Sequence, residues 1–487
     1  MTTIEDALRG PVASLIGGTP VEGEGAEIAL IDPATEEQLT SYRDGGMSVA
    51  EGALAAAEDG GAAWRSFDPA TRGAVLARAA ALIRDEGERL AATESRAAGI
   101  PITDARAHVA KVAGFFDYYA GWADKIDGRV ITGAGGRMTL VDRVPLGTVV
   151  QITPWNAPIF TAGWQLAPAL AAGNAAVLKP SEHTPVTSLM LGHLLLEAGV
   201  PPGAISIVAG LGATAGARLV GDPRCGKAVF IGSVPTGRKV AATAAASGRP
   251  ALLELGGKSA AVVFADADLD RAVAAQLGGI FGAAGQSCTA GSRLLVERTI
   301  YDTVVARMAE GAKNWRVGPP SDPTTRMGPL FSADRLNAVS AAIESAQDAG
   351  ARLVAGGARP EGLPDERGYY IAPTVFADVA PEHALAREEI FGPVLAITPF
   401  ETEAQAIALA NGGEFDLAGA VWSRDGARAL RVARAIRAGT VWVNDYRTLG
   451  VQAPFGGMRG SGFGRSSAAE VLAEYTQSKA IWLDPEG

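Results

Sequence analysis

The chain has 487 residues, 48 % hydrophobic and 20 % charged, with a formal net charge of −10. That length predicts two or more domains, each with its own core. So acidic a chain, with no Lys/Arg block, is a poor match for polyanions, so neither nucleic acid nor a membrane surface is an expected partner. Its two cysteines, Cys225 and Cys288, make no disulfide framework and fit a cytoplasmic setting. "MTTIEDALRG" lacks the basic start and apolar run of a signal peptide. No apolar stretch is long enough to span a membrane. The four histidines, 108, 183, 193 and 383, are scattered in sequence, so no metal site is expected.

Short strands and turns are expected over 20–45, where Asp32-Pro33 opens a turn. Helical spacing predicts helices over 48–60, 71–97 and 102–128, the second started by Asp68 and Pro69. From 136 the pattern becomes extended, with a buried strand at 147–153. Strand-like and helical stretches then alternate. Strands are expected at 175–180, 205–210, 227–232 and 250–257, and helices at 184–200, 213–221 and 236–248. Such repetition predicts a parallel sheet with helices on both faces. A second α/β unit follows over about 258–440, with strands at 260–265, 292–297 and 418–423. The end of the chain is Gly-rich, then a helix and a strand at 479–483.

Cys288 lies in "GAAGQSCTAGSR". Free cysteine is often a small buried hydrophobe. Here Gly282, Gly285 and Gly291 surround it, and glycine lets backbone approach a ligand closely. The residue falls in a turn after a helix or at the start of the next one; a helix N-terminus would lower the thiol pKa. Cys225 has no such setting and reads as structural. Glu254 stands in the apolar "PALLELGG", where a carboxylate is costly unless hydrogen-bonded or functional, for instance as a base with a pKa raised by burial. Asn156, between two prolines in "TPWNAP", could fix an amide as an oxyanion donor or simply make a turn. "GLGATAG", with Gly212, follows a strand and precedes a helix, but its glycine spacing is not the dinucleotide fingerprint. "FIGSVPTG", with Gly232 and Ser233, is a second strand–turn–helix that could hold a phosphate. Lys179 and Glu182 end another strand, where open parallel sheets collect ligands.

Taken together, "PWNAP", "LKPSE", "FIGSVPTG", "LELGGKS", "GAAGQSCTAGSR", "EEIFGPV" and "PFGGMRGSGFGR" resemble the aldehyde dehydrogenase superfamily over nearly the whole chain, in order and separation. The resemblance implies oxidation of an aldehyde to a carboxylic acid, with NAD reduced and NADP as a possible substitute. It implies Cys288 as nucleophile, Glu254 as the base of hydrolysis and Asn156 as an oxyanion donor. Lys179 and Glu182 would bind the adenosine ribose, Ser233 the pyrophosphate, and Glu389 and Phe391 the nicotinamide ribose, with Pro154 and Trp155 lining the cleft. Gly212 and Gly232 complete the expected cofactor set. A carboxylate at Glu182 favours NAD, since it would repel a 2′-phosphate.

The resemblance further implies an α/β fold with a Rossmann-like NAD-binding domain (1–124 and 146–254), a catalytic domain (255–444) and a small β oligomerisation arm (125–145 and 470–487). Residues 445–469 would line the substrate entrance. A homodimer or homotetramer is expected. The aldehyde tunnel would be lined by Ala157, Phe160, Thr161, Trp164, Ser287, Thr289, Leu449 and Phe455, a mixture suited to a medium-chain aliphatic or aromatic aldehyde. Arg447 is read as solvating the tunnel rim, with a carboxylate-bearing semialdehyde as the alternative. The retained Glu254 argues against a CoA-acylating enzyme, and the retained trio argues against an inactive scaffold. Four positions depart from the family pattern: Ile231 for Thr, Arg459 for Lys, Ser466 for Glu and Asp416 for Gly. Ser466 puts a water or proton path in doubt.

Overall fold

In the computed structural model, which describes residues 12–133, 137–363 and 365–484, five parallel strands lie side by side. Their spatial order is Ile205–Ile207, Ala175–Lys179, Thr148–Ile152, Cys225–Ile231 and Ala251–Glu254. They read as nearly continuous apolar runs because helices cover both faces. The chain starts at Thr148–Ile152, builds outward on one side, then returns to the other. The order therefore reverses between Thr148–Ile152 and Cys225–Ile231, which pair directly. The carboxyl ends of strands leave a crevice at such a reversal. Antiparallel edges extend the sheet: Ser14–Ile16 with Thr19–Val21 at one end, and Gly462–Phe463 at the other.

A second sheet has seven strands, with Ala260–Val263 flanked by Arg293–Glu297 and Ala418–Trp422. A third, three-stranded and antiparallel, joins Thr476–Leu483, Met138–Pro145 and Arg129–Thr132. Val130, Ile131, Trp482 and Leu483 are exposed on it. The fold is thus α/β with a Rossmann-like unit, a second α/β unit and a small β arm. Residues 1–11, 134–136, 364 and 485–487 of the expected domains lie outside the described residues.

Several element boundaries differ from the periodicity. The helix expected over 71–97 is two, Pro69–Asp85 and Gly87–Ala98, because Glu86 leaves helical geometry at φ −89°, ψ 7° before a glycine. Asp68 caps the first by accepting from the Thr71 N–H at 3.0 Å. The helix expected over 102–128 stops at Ala120. Residues 213–221 divide into a π-helical turn, Gly212–Gly216, and a short helix, Ala217–Gly221. The helix Pro158–Ala171 was not signalled by periodicity. All its residues but Phe160 are buried, so it carries no polar face. Among the described residues no helix is long and apolar enough to cross a membrane.

Candidate active site

The crevice at the strand-order reversal opens into a cavity of about 1160 Å³. Thr148–Ile152 delivers Pro154, Trp155 and Asn156 to it; Cys225–Ile231 delivers Gly232 and Ser233; Ala251–Glu254 ends on Glu254. The second α/β unit supplies Ser287, Cys288 and Thr289 from the opposite wall, with Glu389 and Phe391 beside them.

Cys288 sits in the turn between the helix Leu269–Phe281 and the strand Arg293–Glu297. It is not at a helix N-terminus, so the expected lowering of its pKa does not arise. Burial instead pushes the thiol up to about 12, helped by the negative charges of Glu254 and Glu389. Ala283, Ala284 and Gly285, just before it, all take the left-handed conformation. For the two alanines this conformation is strained, which is common where structure holds a functional group in place. A Cβ on Gly285 would meet the Gly392 carbonyl oxygen at 2.1 Å, so only glycine fits.

Glu254 is buried at the end of its strand. Burial raises its carboxyl to about 8. Oε1 accepts from the Ser466 hydroxyl at 2.9 Å, while Oε2 has no partner. Ser466 Oγ in turn accepts from Gln165 Nε2 at 3.2 Å, and Gln165 Oε1 accepts from the Tyr475 hydroxyl at 2.7 Å. A buried polar chain therefore ends on the carboxylate. Asn156 Nδ2 donates one hydrogen to the Gln286 carbonyl at 2.8 Å, next to Cys288, which fixes the amide plane and leaves its second hydrogen free.

The glycines of "LELGGKS" have a spatial cause. A Cβ on Gly256 would meet Glu389 Oε2 at 2.1 Å, and one on Gly257 would meet the Cys288 carbonyl oxygen at 2.5 Å. The Gly257 N–H donates to Glu389 Oε1 at 2.9 Å. Phe391 is held in the left-handed region, edge-on to Trp155 with ring centroids 5.5 Å apart. Ser233 precedes the helix Val234–Ala246 and lines the cavity, and its side chain caps no backbone N–H of that helix.

Lys179, Glu182 and Gly212 do not line this cavity. Lys179 and Glu182 lie together past the neighbouring strand end, with Nζ 3.3 Å from Oε2. Gly216, at the far end of the π-helical turn that Gly212 opens, packs against the Lys179 side chain. The sites of all three follow the carboxyl edge of the same sheet, away from Cys288. The residues present therefore fit an extended dinucleotide: a crevice, a helix N-terminus and a glycine turn with open space at Gly212.

Every expected substrate residue lines the cavity: Phe160, Trp164, Ser287, Thr289, Arg447, Leu449 and Phe455. Trp164 packs edge-on against Phe455 at 5.4 Å and donates from Nε1 to the Ser467 hydroxyl at 2.6 Å. Sequence reasoning missed one wall. His108, Lys111, Phe115 and Tyr118 reach the cavity from the helix Ile102–Ala120, and Trp442 from the second sheet. The signal was present only as a lysine interrupting an apolar run, "VAKVAGFF". Cys225 lies fully buried in its strand, as a structural residue would.

Two of the departures from the family pattern meet. Asp416, buried, pairs with Arg459 across a short antiparallel ladder, Nε to Oδ2 at 3.0 Å. A buried carboxylate is tolerable here because its counter-charge arrives on the facing strand.

A family model described as the aldehyde dehydrogenase family matches residues 21–481. A betaine aldehyde dehydrogenase of Cereibacter sphaeroides is 44 % identical over 476 residues, covering 97 % of each chain. Among solved structures, betaine aldehyde dehydrogenase from Staphylococcus aureus, in complex with NAD+, superposes with a TM-score of 0.96 at 35 % identity, covering 99 % of this chain and 97 % of that one. PnpE from Pseudomonas sp. WBC-3 does so with a TM-score of 0.94 at 38 % identity, covering 97 % of each. With sequence relationship, fold and cavity in agreement from end to end, the chain belongs to the aldehyde dehydrogenase family.

Proposed function

We propose that Cys288 is the nucleophile of this NAD-dependent aldehyde dehydrogenase, Glu254 its base, and Asn156 with the Cys288 N–H its oxyanion hole. The observation that carries this reading is the meeting of the three residues at one cavity that runs on into the strand-reversal crevice. An aldehyde has no leaving group except hydride, so a bare carbonyl is a poor donor. The thiol gives its proton to solvent as sulfur adds to the carbonyl carbon. Charge moves onto oxygen, where the second Asn156 hydrogen and the Cys288 N–H meet it. Collapse of this thiohemiacetal re-forms the C=O bond and expels hydride, leaving a thioester on Cys288. Ser233 would hold the pyrophosphate of NAD and Glu389 its nicotinamide ribose, and the bound cofactor would supply the acceptor for that hydride. Glu254 then takes a proton from water; hydroxide adds to the thioester, and the thiolate leaves and is reprotonated as the acid departs.

Lys179 and Glu182 are proposed to hold the adenosine ribose, and Gly212 and Gly232 to give the cofactor room. The carboxylate of Glu182 favours NAD over NADP. The aromatic wall of Phe115, Phe160, Trp164, Trp442 and Phe455 supports a medium-chain aliphatic or aromatic aldehyde. A trimethylammonium aldehyde is the second reading, favoured by relatives named betaine aldehyde dehydrogenase and by aromatic rings able to face a cation. The exposed apolar residues of the three-stranded sheet support pairing with a second copy into a dimer or tetramer.

The test is NADH formation across aliphatic, aromatic, carboxylated and trimethylammonium aldehydes, with wild type and Cys288→Ala. Oxidation by wild type and its loss in Cys288→Ala, with NAD binding kept, is the expected result. Full turnover by Cys288→Ala would remove Cys288 from the mechanism.

A further inference from the structure

Two cations on the cavity wall have no use in the chemistry above. Lys111 comes from the helix Ile102–Ala120 and Arg447 from the loop after Thr440–Val443. Neither makes a hydrogen bond or ion pair with a described residue. The closest recorded contact of Lys111 is with the Phe160 ring, whose centroid is 5.9 Å from Nζ. Arg447 Nη1 stands 3.2 Å from where a Cβ on Gly282 would be, so the guanidinium lies over the turn that leads to Cys288. Lys111 is exposed and Arg447 half-buried.

Arg447 is also held at φ +62°. A long side chain in the left-handed region is uncommon, and such outliers cluster at ligand clamps. His108, one turn before Lys111, lines the same wall with an Nδ1 that meets neither solvent nor a partner. The acidic groups facing this cluster are few. Asp104, on the same helix, feels both cations without reaching either as an ion pair. Asp117, further along it, is bound to Arg84. One carboxylate thus stands against two unpaired cations.

We propose that Arg447 and Lys111 form an anion subsite, so that the preferred aldehydes carry a carboxylate at the end remote from the reacting carbonyl. This rests on the reading of Cys288 as nucleophile in the same cavity. With the carbonyl carbon at Cys288, the body of the substrate lies against Phe160, Trp164 and Phe455. The Arg447 fork then faces the carboxylate oxygens, a geometry a guanidinium matches bidentately. Lys111 at the mouth attracts the same charge on approach. Both cations repel a trimethylammonium group, so the wall selects by charge in both directions.

The test uses three aldehydes of matched shape: 4-carboxybenzaldehyde, benzaldehyde and 4-(trimethylammonio)benzaldehyde. The expected kcat/KM for the carboxylated member exceeds that for benzaldehyde by roughly tenfold or more, as for a charge-assisted hydrogen bond. The trimethylammonium member comes last, although its electron withdrawal activates the carbonyl. In the double variant Lys111→Gln, Arg447→Gln the ratio of carboxylated to neutral substrate falls to about one, while Arg447→Lys keeps part of it. A ratio near one in wild type, or one that survives the double variant, overturns the subsite. A second readout does not need turnover: quenching of tryptophan fluorescence by terephthalate against benzamide, in Cys288→Ala. Selective binding of terephthalate with no aldehyde oxidised by wild type would keep the subsite and overturn the catalytic reading. Oxidation without charge preference would overturn the subsite alone.

Discussion

Ser466 gives its hydroxyl hydrogen to Glu254 Oε1 at 2.9 Å, and it is the one described side chain that bonds this buried carboxylate. Burial raises the group to about 8, and the Ser466 bond, which favours the charged form, opposes that rise. Where the family pattern has a glutamate, this chain therefore has a neutral donor aimed at its proposed base. A second carboxylate at this position would instead push the base further up.

Ser466→Ala removes that donor. Hydrogen bonds to charged groups are worth about 1.5–3 kcal/mol. The apparent pKa of the hydrolytic limb should accordingly rise by about one to two units. The measurement is kcat against pH with an aldehyde whose thioester hydrolysis is rate-limiting. Activity should climb through about pH 8 in wild type, as Glu254 loses its proton, and later in the variant. An unmoved limb would mean that Ser466 does not tune the base.

Glu254→Gln separates the two halves of the reaction. The amide cannot take a proton from water, so thioester hydrolysis should slow by about a hundredfold or more. Rapid mixing should then show at most one NADH per site, followed by a near-stop, with acyl-enzyme detectable by mass spectrometry. Steady turnover at the wild-type rate would reassign the base.

The residues proposed to carry the chemistry were legible because each lies in a local string whose shape is set within a few residues. Asn156 between its prolines, Glu254 at the end of an apolar strand and Cys288 among glycines are of this kind. The wall built by His108 and Lys111 was not, because it meets the cavity only through packing against elements far along the chain. The helix Pro158–Ala171 was invisible for a different reason: burial all round removes the amphipathic signal. Asp416 and Arg459 looked like two separate departures. Only the strand pairing that places Phe415 opposite Arg459 makes them one compensated change.

Glu94 is the other buried carboxylate of consequence. Its oxygens accept from the Ile159 N–H at 3.1 Å and the Thr187 hydroxyl at 2.6 Å, so it caps the helix that follows Asn156. Burial raises its pKa to about 7 against those bonds. The folded state thus holds the proton more tightly than the unfolded one. Its contribution is full below the ordinary carboxylate pKa and is lost as pH rises through about 7. Thermal unfolding should show a decline with pH over that window that Glu94→Gln reduces. Glu94→Ala, which strands a buried N–H and a hydroxyl, should lose about 2–3 kcal/mol at low pH, where the contribution of Glu94 is full. Equal pH slopes in wild type and Glu94→Gln would show that Glu94 does not titrate in the fold.

The turn before Cys288 can be probed at one atom. Gly285→Ala places a methyl 2.1 Å from the Gly392 carbonyl oxygen, at a φ of +69°. Neither neighbour is a flexible side chain, so backbone must move, and about 3 kcal/mol or more of stability should go with it. The same shift should displace the sulfur from Asn156 and change its rate of alkylation by iodoacetamide. Gly278→Ala is the control, seven residues earlier and inside the helix Leu269–Phe281, where an added Cβ meets nothing within 4 Å. That change should stabilise by about 0.5–1 kcal/mol through lower backbone entropy in the unfolded chain. Denaturant unfolding of the two variants therefore moves in opposite directions if the left-handed turn is what fixes the nucleophile. Movement of both in the same direction would place the constraint elsewhere in the loop.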